Sequence, residues 1–336
     1  MGDEPADLYH TARDEDYLRV VREEADFWDR HPEEVFPVSG PPKLQAYYDE
    51  RFTGDPRTDW HEIIPRYGQF RRGCALGCGS ERVERQILAQ NPSLHLTFYD
   101  ISRAALSRRL SHFQSEFPGR VDIRQEDLNF ALLPENAYDL IVSHSCMHHI
   151  VNLEHAAFQA NRALTPDGLF FLRDFVAESR LQFCDVKKRV FDAVAYATGP
   201  RRAAPLAYEW PSLEPWTYSP FETVRSGDIL EVFRTYLEEV ELRVAGALAT
   251  LIMFARPPSP TPPQGRPRLP RRLASAITRW WHAPGWVQRR RQARLVSRLF
   301  ESQQCGDLLI ILDRIVSEAG CLKPALACAV YRKRQR

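Results

Sequence analysis

Leu76-Gly77-Cys78-Gly79-Ser80-Glu81 follows a short apolar run that begins near Arg71, and the next apolar run closes on a lone acid, Asp100. Glycines at the tip of a strand let backbone N–H groups approach a ligand, and a helix that starts at once adds the partial positive charge of its N-terminus. An acid at the end of the second strand accepts hydrogen bonds from both hydroxyls of a ribose. A bare Gly-x-Gly also serves ordinary turns, so the pattern downstream decides between a turn and a nucleotide-like site.

That pattern alternates strand and helix at short spacing. Val83, Ile87 and Leu88 have helical spacing, and Leu94, Leu96 and Phe98 alternate as a strand does. Ser102 is placed to cap a helix through Glu116, after which Val121 to Arg124 reads as a third strand leading to Glu126-Asp127-Leu128-Asn129. Tyr138 to Ser143 is a fourth strand. A helix from Asn152 to Leu164 stops at Pro166-Asp167-Gly168, and a fifth strand runs from Leu169 to Val176. Further on come a helical stretch from Arg180 to Tyr196, a helix from Gly227 to Leu237, a sixth strand from Glu239 to Val244 and a closing strand from Pro324 to Arg332. The alternation predicts an α/β protein with a parallel sheet covered on both faces.

The order of Ala75-Leu76-Gly77-Cys78-Gly79, Tyr99-Asp100-Ile101-Ser102, Asp127-Leu128-Asn129, Tyr138-Asp139-Leu140-Ile141-Val142-Ser143 and Arg162 to Leu169 resembles the class I S-adenosylmethionine-dependent methyltransferases. The likeness covers roughly Tyr67 to Val176 and the last strand. It implies a Rossmann-like three-layer sandwich on a seven-stranded, mostly parallel sheet, with an antiparallel pair at one edge, an N-terminal helical cap and lid insertions. S-adenosyl-L-methionine is the implied cofactor. Gly77, Cys78 and Gly79 would lie beneath its amino-acid part, and Asp100, with Ile101 beside it, would hold the ribose. Asp127 would reach the adenine amino group, with Leu128 and Asn129 alongside, and Ser143 would sit where the sulfonium points. Gln45 to Phe52 resembles the helix that closes over the cofactor in this family, which makes Arg51 a candidate for the methionine carboxylate and places Tyr47 near the methyl group. Two departures stand out: many members carry an acid where this chain has Ala75, and a third glycine where it has Glu81.

Cys146-Met147-His148-His149-Ile150 follows the fourth strand, at the carboxyl edge where open α/β sheets bind substrates. An imidazole there is matched to general-base work near neutral pH, which makes His149, and after it His148, the catalytic candidates, with packing of the loop as the alternative role. Asp174 ends the fifth strand, Glu178 follows it, and Tyr218 and Glu222 lie in an aromatic, proline-rich segment suited to a substrate-selecting lid. Ser219 to Ser226 resembles a stretch in a bacterial, small-molecule or glycan-associated subgroup of the family. No metal is expected, because Cys74 and Cys78 lack a paired Cys-x-x-Cys and His144 with His148 spans a strand end.

The domain boundaries read as 1–66 for the cap, 67–177 for the core, 178–224 for the lid, 225–250 for a core continuation, 251–299 for a Pro/Arg-rich insertion and 300–336 for the last helix and strand. Between Leu242 and Phe300 there is no acid and no lysine, while Arg256, Arg266, Arg268, Arg271 and Arg272 open a long basic series, so a net charge of +1 hides a basic flank and an acidic body. With Trp280, Trp281 and Trp286 among them, these arginines suit an amphipathic helix on an anionic membrane surface; a solvated helix packed on the lid is the competing arrangement. Nucleic acid is disfavoured because the basic stretch is local and carries no reading motif. The acidic N-terminus without an apolar segment and seven scattered cysteines point to the cytosol. The function expected is methyl transfer, most readily to oxygen, on a small-molecule, glycan-linked or lipid-linked acceptor. The alternative is a non-catalytic protein of the same fold that binds a partner or membrane through its arginine-rich arm. A nicotinamide oxidoreductase ranks third, since Gly-x-Gly-x-x-Gly is not completed.

Overall fold

The computed structural model describes residues 15–30, 42–77, 81–198, 219–254 and 303–335. Cys78, Gly79, Tyr218 and the arginine-rich insertion from Arg256 onward therefore lie outside the described residues. Two helices come first, α1 (Glu15–Arg30) and α2 (Pro42–Thr53), then the alternating units β1 (Arg72–Leu76), α3 (Glu81–Gln90), β2 (His95–Asp100), α4 (Arg103–Glu116), β3 (Val121–Gln125), β4 (Tyr138–His144), α5 (Leu153–Ala163) and β5 (Leu164–Phe175). The chain continues through α6 (Asp185–Thr198), α7 (Ile229–Tyr236), β6 (Leu237–Ala245), α8 (Gln303–Glu318) and β7 (Leu326–Lys333).

These strands form a seven-stranded sheet in the order β3-β2-β1-β4-β5-β7-β6. β1 to β5 are parallel to one another, and β7 runs antiparallel between β5 and β6. Along each central strand, side chains alternate between two cores. Ala75, Leu96, Phe98, Leu140, Val142 and Phe171 face one side, and Cys74, Leu76, Tyr99, Ile141, Phe170 and Leu172 face the other. Burial on both faces explains why these strands read as almost unbroken apolar runs, each large side chain adding about 1.5–3 kcal/mol.

Local signals in the chain set the element starts. Ser102 caps α4 by accepting from Ala105 N at 3.0 Å, and Asn152 caps α5 by accepting from His155 N at 3.3 Å. The Asp139 carboxylate accepts from Arg71 N and Arg72 N at 2.9 and 3.0 Å, pinning the start of β1 to β4.

Two stretches differ from the sequence-based expectation. Pro166-Asp167-Gly168 does not separate helix from strand: β5 already begins at Leu164, which pairs with Tyr138, and the irregularity falls between Tyr138 and Leu140. Gly168 is needed there, since a Cβ would sit 2.9 Å from the Tyr138 carbonyl oxygen. The helix expected from Arg180 starts only at Asp185, because Arg180 and Leu181 adopt φ of 55° and 54°. Arg180 instead donates from its backbone to Thr223 O at 2.7 Å and from Nη1 to Pro220 O at 2.7 Å, clamping the lid turn. Among the described residues, no helix is long and apolar enough to cross a membrane.

Candidate active site

A cavity of about 190 Å³, more than ten times the space one water needs, opens at the carboxyl ends of the strands. Gly77, Asp100, Ile101, Asp127, Leu128 and Asn129 line one part of it, and His148, His149, Phe221 and Glu222 line another. Gly77 has φ +86°, and a Cβ there would meet Cys146 Cβ and Sγ at 2.5 Å, so the turn after β1 is pressed against the loop after β4 and only glycine fits.

The acids of the cofactor side are fixed by their own loops. Asp100 Oδ1 accepts from Ser102 N at 2.7 Å, which orients the carboxylate at the end of β2. Asp127 Oδ1 accepts from Asn129 N at 3.0 Å and from its side-chain amide at 2.8 Å. Asn129 Oδ1 in turn accepts from Val151 N and Asn152 N, both at 2.9 Å, joining the loop after β3 to the start of α5.

On the opposite side the chain turns sharply after β4, with Ser145 at φ 51°. Asp174, fully buried, accepts from Cys146 N at 3.0 Å, from Met147 N at 2.7 Å and from Phe175 N at 2.7 Å. Its Oδ1 also meets His148 Nδ1 at 2.5 Å. Burial opposes the charge on Asp174, but His148 and these backbone donors hold its carboxyl below the usual range. His149 Nδ1 lies 3.2 Å from Glu24 Oε1 and 3.2 Å from Ser219 Oγ, and Nε2 lies 3.8 Å from Glu222 Oε2. Burial disfavours a charged His149 ring, yet Glu222 and Glu24 outweigh it and lift the pKa to about 9. The lid turn is anchored to the same loop: Val224 N donates to His148 O at 3.0 Å, and Arg225 makes a two-pronged bond to Glu154 at 2.7 and 2.9 Å.

The structure thus brings together Gly77, Asp100, Ile101, Asp127, Leu128, Asn129, His148, His149 and Glu222 around one cavity. Five candidates lie elsewhere. Tyr47 is buried and donates to Asp313 Oδ2 at 2.6 Å, and Arg51 pairs with Glu318 at 2.8 Å and reaches Val244 O, so this face of α2 packs on α8 and β6 and does not meet the cavity. Ser143 is fully buried with its hydroxyl directed at Leu76 O, 3.3 Å away, and residues 144–146 take the place at the cavity wall. Asp174 sits behind the histidine loop and is spent on that loop's backbone. Glu178 pairs with the buried Lys187 at 2.7 Å. His144, at the cavity wall, packs against Trp60 with ring centroids 5.4 Å apart and the rings tilted by 36°, and burial pushes its pKa down to about 3.

Sequence reasoning passed over Glu24. It lies on α1, is 3% exposed, and accepts from Trp28 Nε1 at 2.8 Å and Phe221 N at 2.9 Å while facing His149. In sequence it stands among many charged residues of a polar helix, and no local signal separates it from them. Arg173, Thr250 and Met253 also line the cavity, and none was marked by a motif.

Residues 75–170 match the protein family described as a methyltransferase domain. The match covers under a third of the chain, and the strand order above agrees with it. Residues 75–170 are a methyltransferase domain. Within the curated proteins, the chain is 28% identical over 123 residues to the non-reducing polyketide synthase dpfgA of Gibberella zeae, covering 32% of this chain and 6% of that protein. It is 31% identical over 111 residues to the ribosomal RNA large subunit methyltransferase G of Streptomyces coelicolor, covering 31% of this chain and 29% of that protein. The match therefore spans less than a third of either relative. Solved structures include phosphoethanolamine N-methyltransferase 2 of Haemonchus contortus with S-adenosylhomocysteine, at 14% identity and a TM-score of 0.47, covering 93% of this chain and 60% of that one. The cyclase SpnF has 13% identity and a TM-score of 0.47, covering 93% of this chain and 95% of that chain.

Proposed function

We propose that this chain is an S-adenosylmethionine-dependent methyltransferase acting on a small-molecule, glycan-linked or lipid-linked acceptor, with oxygen as the methylated atom. The observation that carries this reading is a single cavity that has Gly77, Asp100 and Asp127 to Asn129 on one wall and His148, His149 and Glu222 on another. The residues fit the donor: Asp100 is oriented at the end of β2 for a ribose, Asp127 presents a carboxylate for an adenine amino group, and Gly77 gives close backbone access. Cys78 and Gly79 would complete the turn beneath the methionine part. Bound there, S-adenosylmethionine would supply an electrophilic methyl group.

The chain's own part is alignment and the handling of one proton. Fixing two reactants in line is worth up to roughly 7–11 kcal/mol of barrier when geometry is ideal. Phe221 and the rest of the lid turn, held by Arg180 and Arg225, exclude water from above. His149 and His148 are the groups placed to receive an acceptor's hydroxyl proton, with Glu222 beside both Nε2 atoms at 3.8 and 3.7 Å. Glu222 is the proposed substrate-side residue, with Tyr218, outside the described residues, as a second candidate. The arginine-rich stretch from Arg256 would give a peripheral contact with an anionic membrane in the cytosol.

The test is transfer from isotopically labelled S-adenosylmethionine to phenolic, aliphatic and sugar hydroxyl compounds, followed by mass spectrometry. The expected result is one labelled methyl per acceptor, in a product stable to base as an ether is, with His149→Gln slower by about 10²–10⁴-fold. Label appearing on nitrogen or carbon would overturn the oxygen assignment, and an undiminished rate in His149→Gln would remove that residue from the reaction.

A further inference from the structure

We propose that His148, His149 and Glu222 form a binding site for one divalent transition-metal ion on the acceptor side of the cavity. Their ligand atoms lie within 4.8 Å of one another. His148 Nε2 is 3.7 Å from Glu222 Oε1, and His149 Nε2 is 3.8 Å from Glu222 Oε2. An ion that holds nitrogen and oxygen at about 2.0–2.2 Å keeps neighbouring ligand atoms about 3.0–3.4 Å apart, so each histidine would close by a few tenths of an ångström on its own Glu222 oxygen, and the trio as a whole by up to about 1.5 Å.

The outer partners are already those of a metal centre. Each histidine has its Nδ1 against a carboxylate, Asp174 at 2.5 Å for His148 and Glu24 at 3.2 Å for His149. A carboxylate on Nδ1 fixes the tautomer, leaves the Nε2 lone pair free for an ion and makes the ring a stronger ligand. Those carboxylates are themselves immobilised, Asp174 by three backbone N–H groups and Glu24 by Trp28 and Phe221. Asp174, Glu24 and Glu222 are 0%, 3% and 7% exposed, and three buried carboxylates around two imidazoles favour positive charge between them. A divalent ion at the Nε2 atoms would take the place of a proton there and supply it.

Two imidazoles and one carboxylate suit zinc, iron(II) or cobalt(II) over magnesium or calcium, which prefer all-oxygen shells. The three protein ligands leave coordination positions facing the cavity. On the methyltransferase reading, and resting on it, those positions take the acceptor oxygen; the ion site itself does not depend on that reading. Sequence spacing hides the site, because Glu222 comes from the lid turn while the histidines follow β4.

The experiment is calorimetric titration of the chelator-treated full chain with zinc, paralleled by cobalt(II) followed through its visible absorption. One equivalent is expected to bind at the trio. Glu222→Gln and His149→Gln should each weaken it by at least about tenfold, and Asp174→Asn, which leaves all three ligands in place, by about 10–100-fold. If Glu222→Gln loses its thermal transition, Asp174→Asn carries the test. Binding unchanged in the variants that fold would place the ion on other histidines or cysteines and overturn the proposal, as would the absence of binding. S-adenosylhomocysteine is titrated alongside. Its binding without metal binding overturns the ion site and leaves the methyltransferase reading intact, whereas metal binding without it does the reverse.

Discussion

His149 concentrates the electrostatics of the cavity. Glu24 comes to it from α1, Glu222 from the lid turn, His148 and Asp174 lie behind it, and Arg180 holds the lid turn on the far side. Its pKa of about 9 exceeds the ordinary histidine value of 6.5, so the folded chain binds the proton more tightly than the unfolded chain does. That stabilisation is complete below about pH 6.5 and is lost as pH rises through 9. Denaturant unfolding of the metal-free protein should therefore show stability falling across this window, with a flatter profile in His149→Gln. For the metal-free protein the same value predicts that kcat/KM rises with pH toward about 9, since only the neutral ring accepts a proton. A profile flat between these values would remove both assignments. At this scale the sequence was legible where a residue ends a strand or opens a turn, as Gly77, Asp100 and Asp127 do. For Tyr47, Arg51 and Ser143, whose candidacy came from the family resemblance, the sequence did not show the packing partners the structure gives them, because local sequence marks a face without saying which neighbour covers it.

Helix α1 covers the cavity through three polar links. Tyr17 OH donates to Asp127 Oδ2 at 3.0 Å, Glu24 accepts from Phe221 N, and Asp29 Oδ1 accepts from Ser102 Oγ and Ala104 N at 2.5 and 3.1 Å. The first link engages the carboxylate proposed for the adenine amino group. Tyr17→Phe, which keeps the packing on Phe130 and Phe221, should tighten S-adenosylhomocysteine by about 0.5–1.5 kcal/mol, measured by calorimetry. Weaker binding would show instead that the hydroxyl holds the ligand. Among the elements, α4 was legible to the residue, because Ser102 caps it and an apolar face continues to Phe113. The stretch at Arg180 was not legible, because its backbone partner, Thr223, is a tertiary contact that propensity does not record.

Across the whole molecule, the two ends of the described chain meet. β7 lies between β5 and β6, and α8 reaches back to α2 through Asp313 with Tyr47, Glu318 with Arg51 and Arg314 with Glu50. Asp313 is fully buried and also accepts from Gly246 N at 2.9 Å, Leu248 N at 2.5 Å and Ala249 N at 3.0 Å. Asp313→Ala leaves these buried neutral donors unsatisfied, at about 1–3 kcal/mol for each such group, and should lower stability by at least about 2 kcal/mol in equilibrium unfolding. A loss below 1 kcal/mol, about one ordinary hydrogen bond, would mean that the junction relaxes around the gap. The parallel half of the sheet was readable from alternating apolar runs. The placement of the C-terminal strand came from the family resemblance, since a long basic insertion separates it from β6 in sequence.

The most direct test of the central claim is calorimetric titration of S-adenosylhomocysteine into the purified full chain and its Asp100→Ala variant. The account predicts saturable one-to-one binding to the parent and a loss of about 1.5–3 kcal/mol in the variant, the worth of a hydrogen bond to a charged group, with its thermal transition retained. Equal affinity in parent and variant, or no binding to the parent, would contradict it.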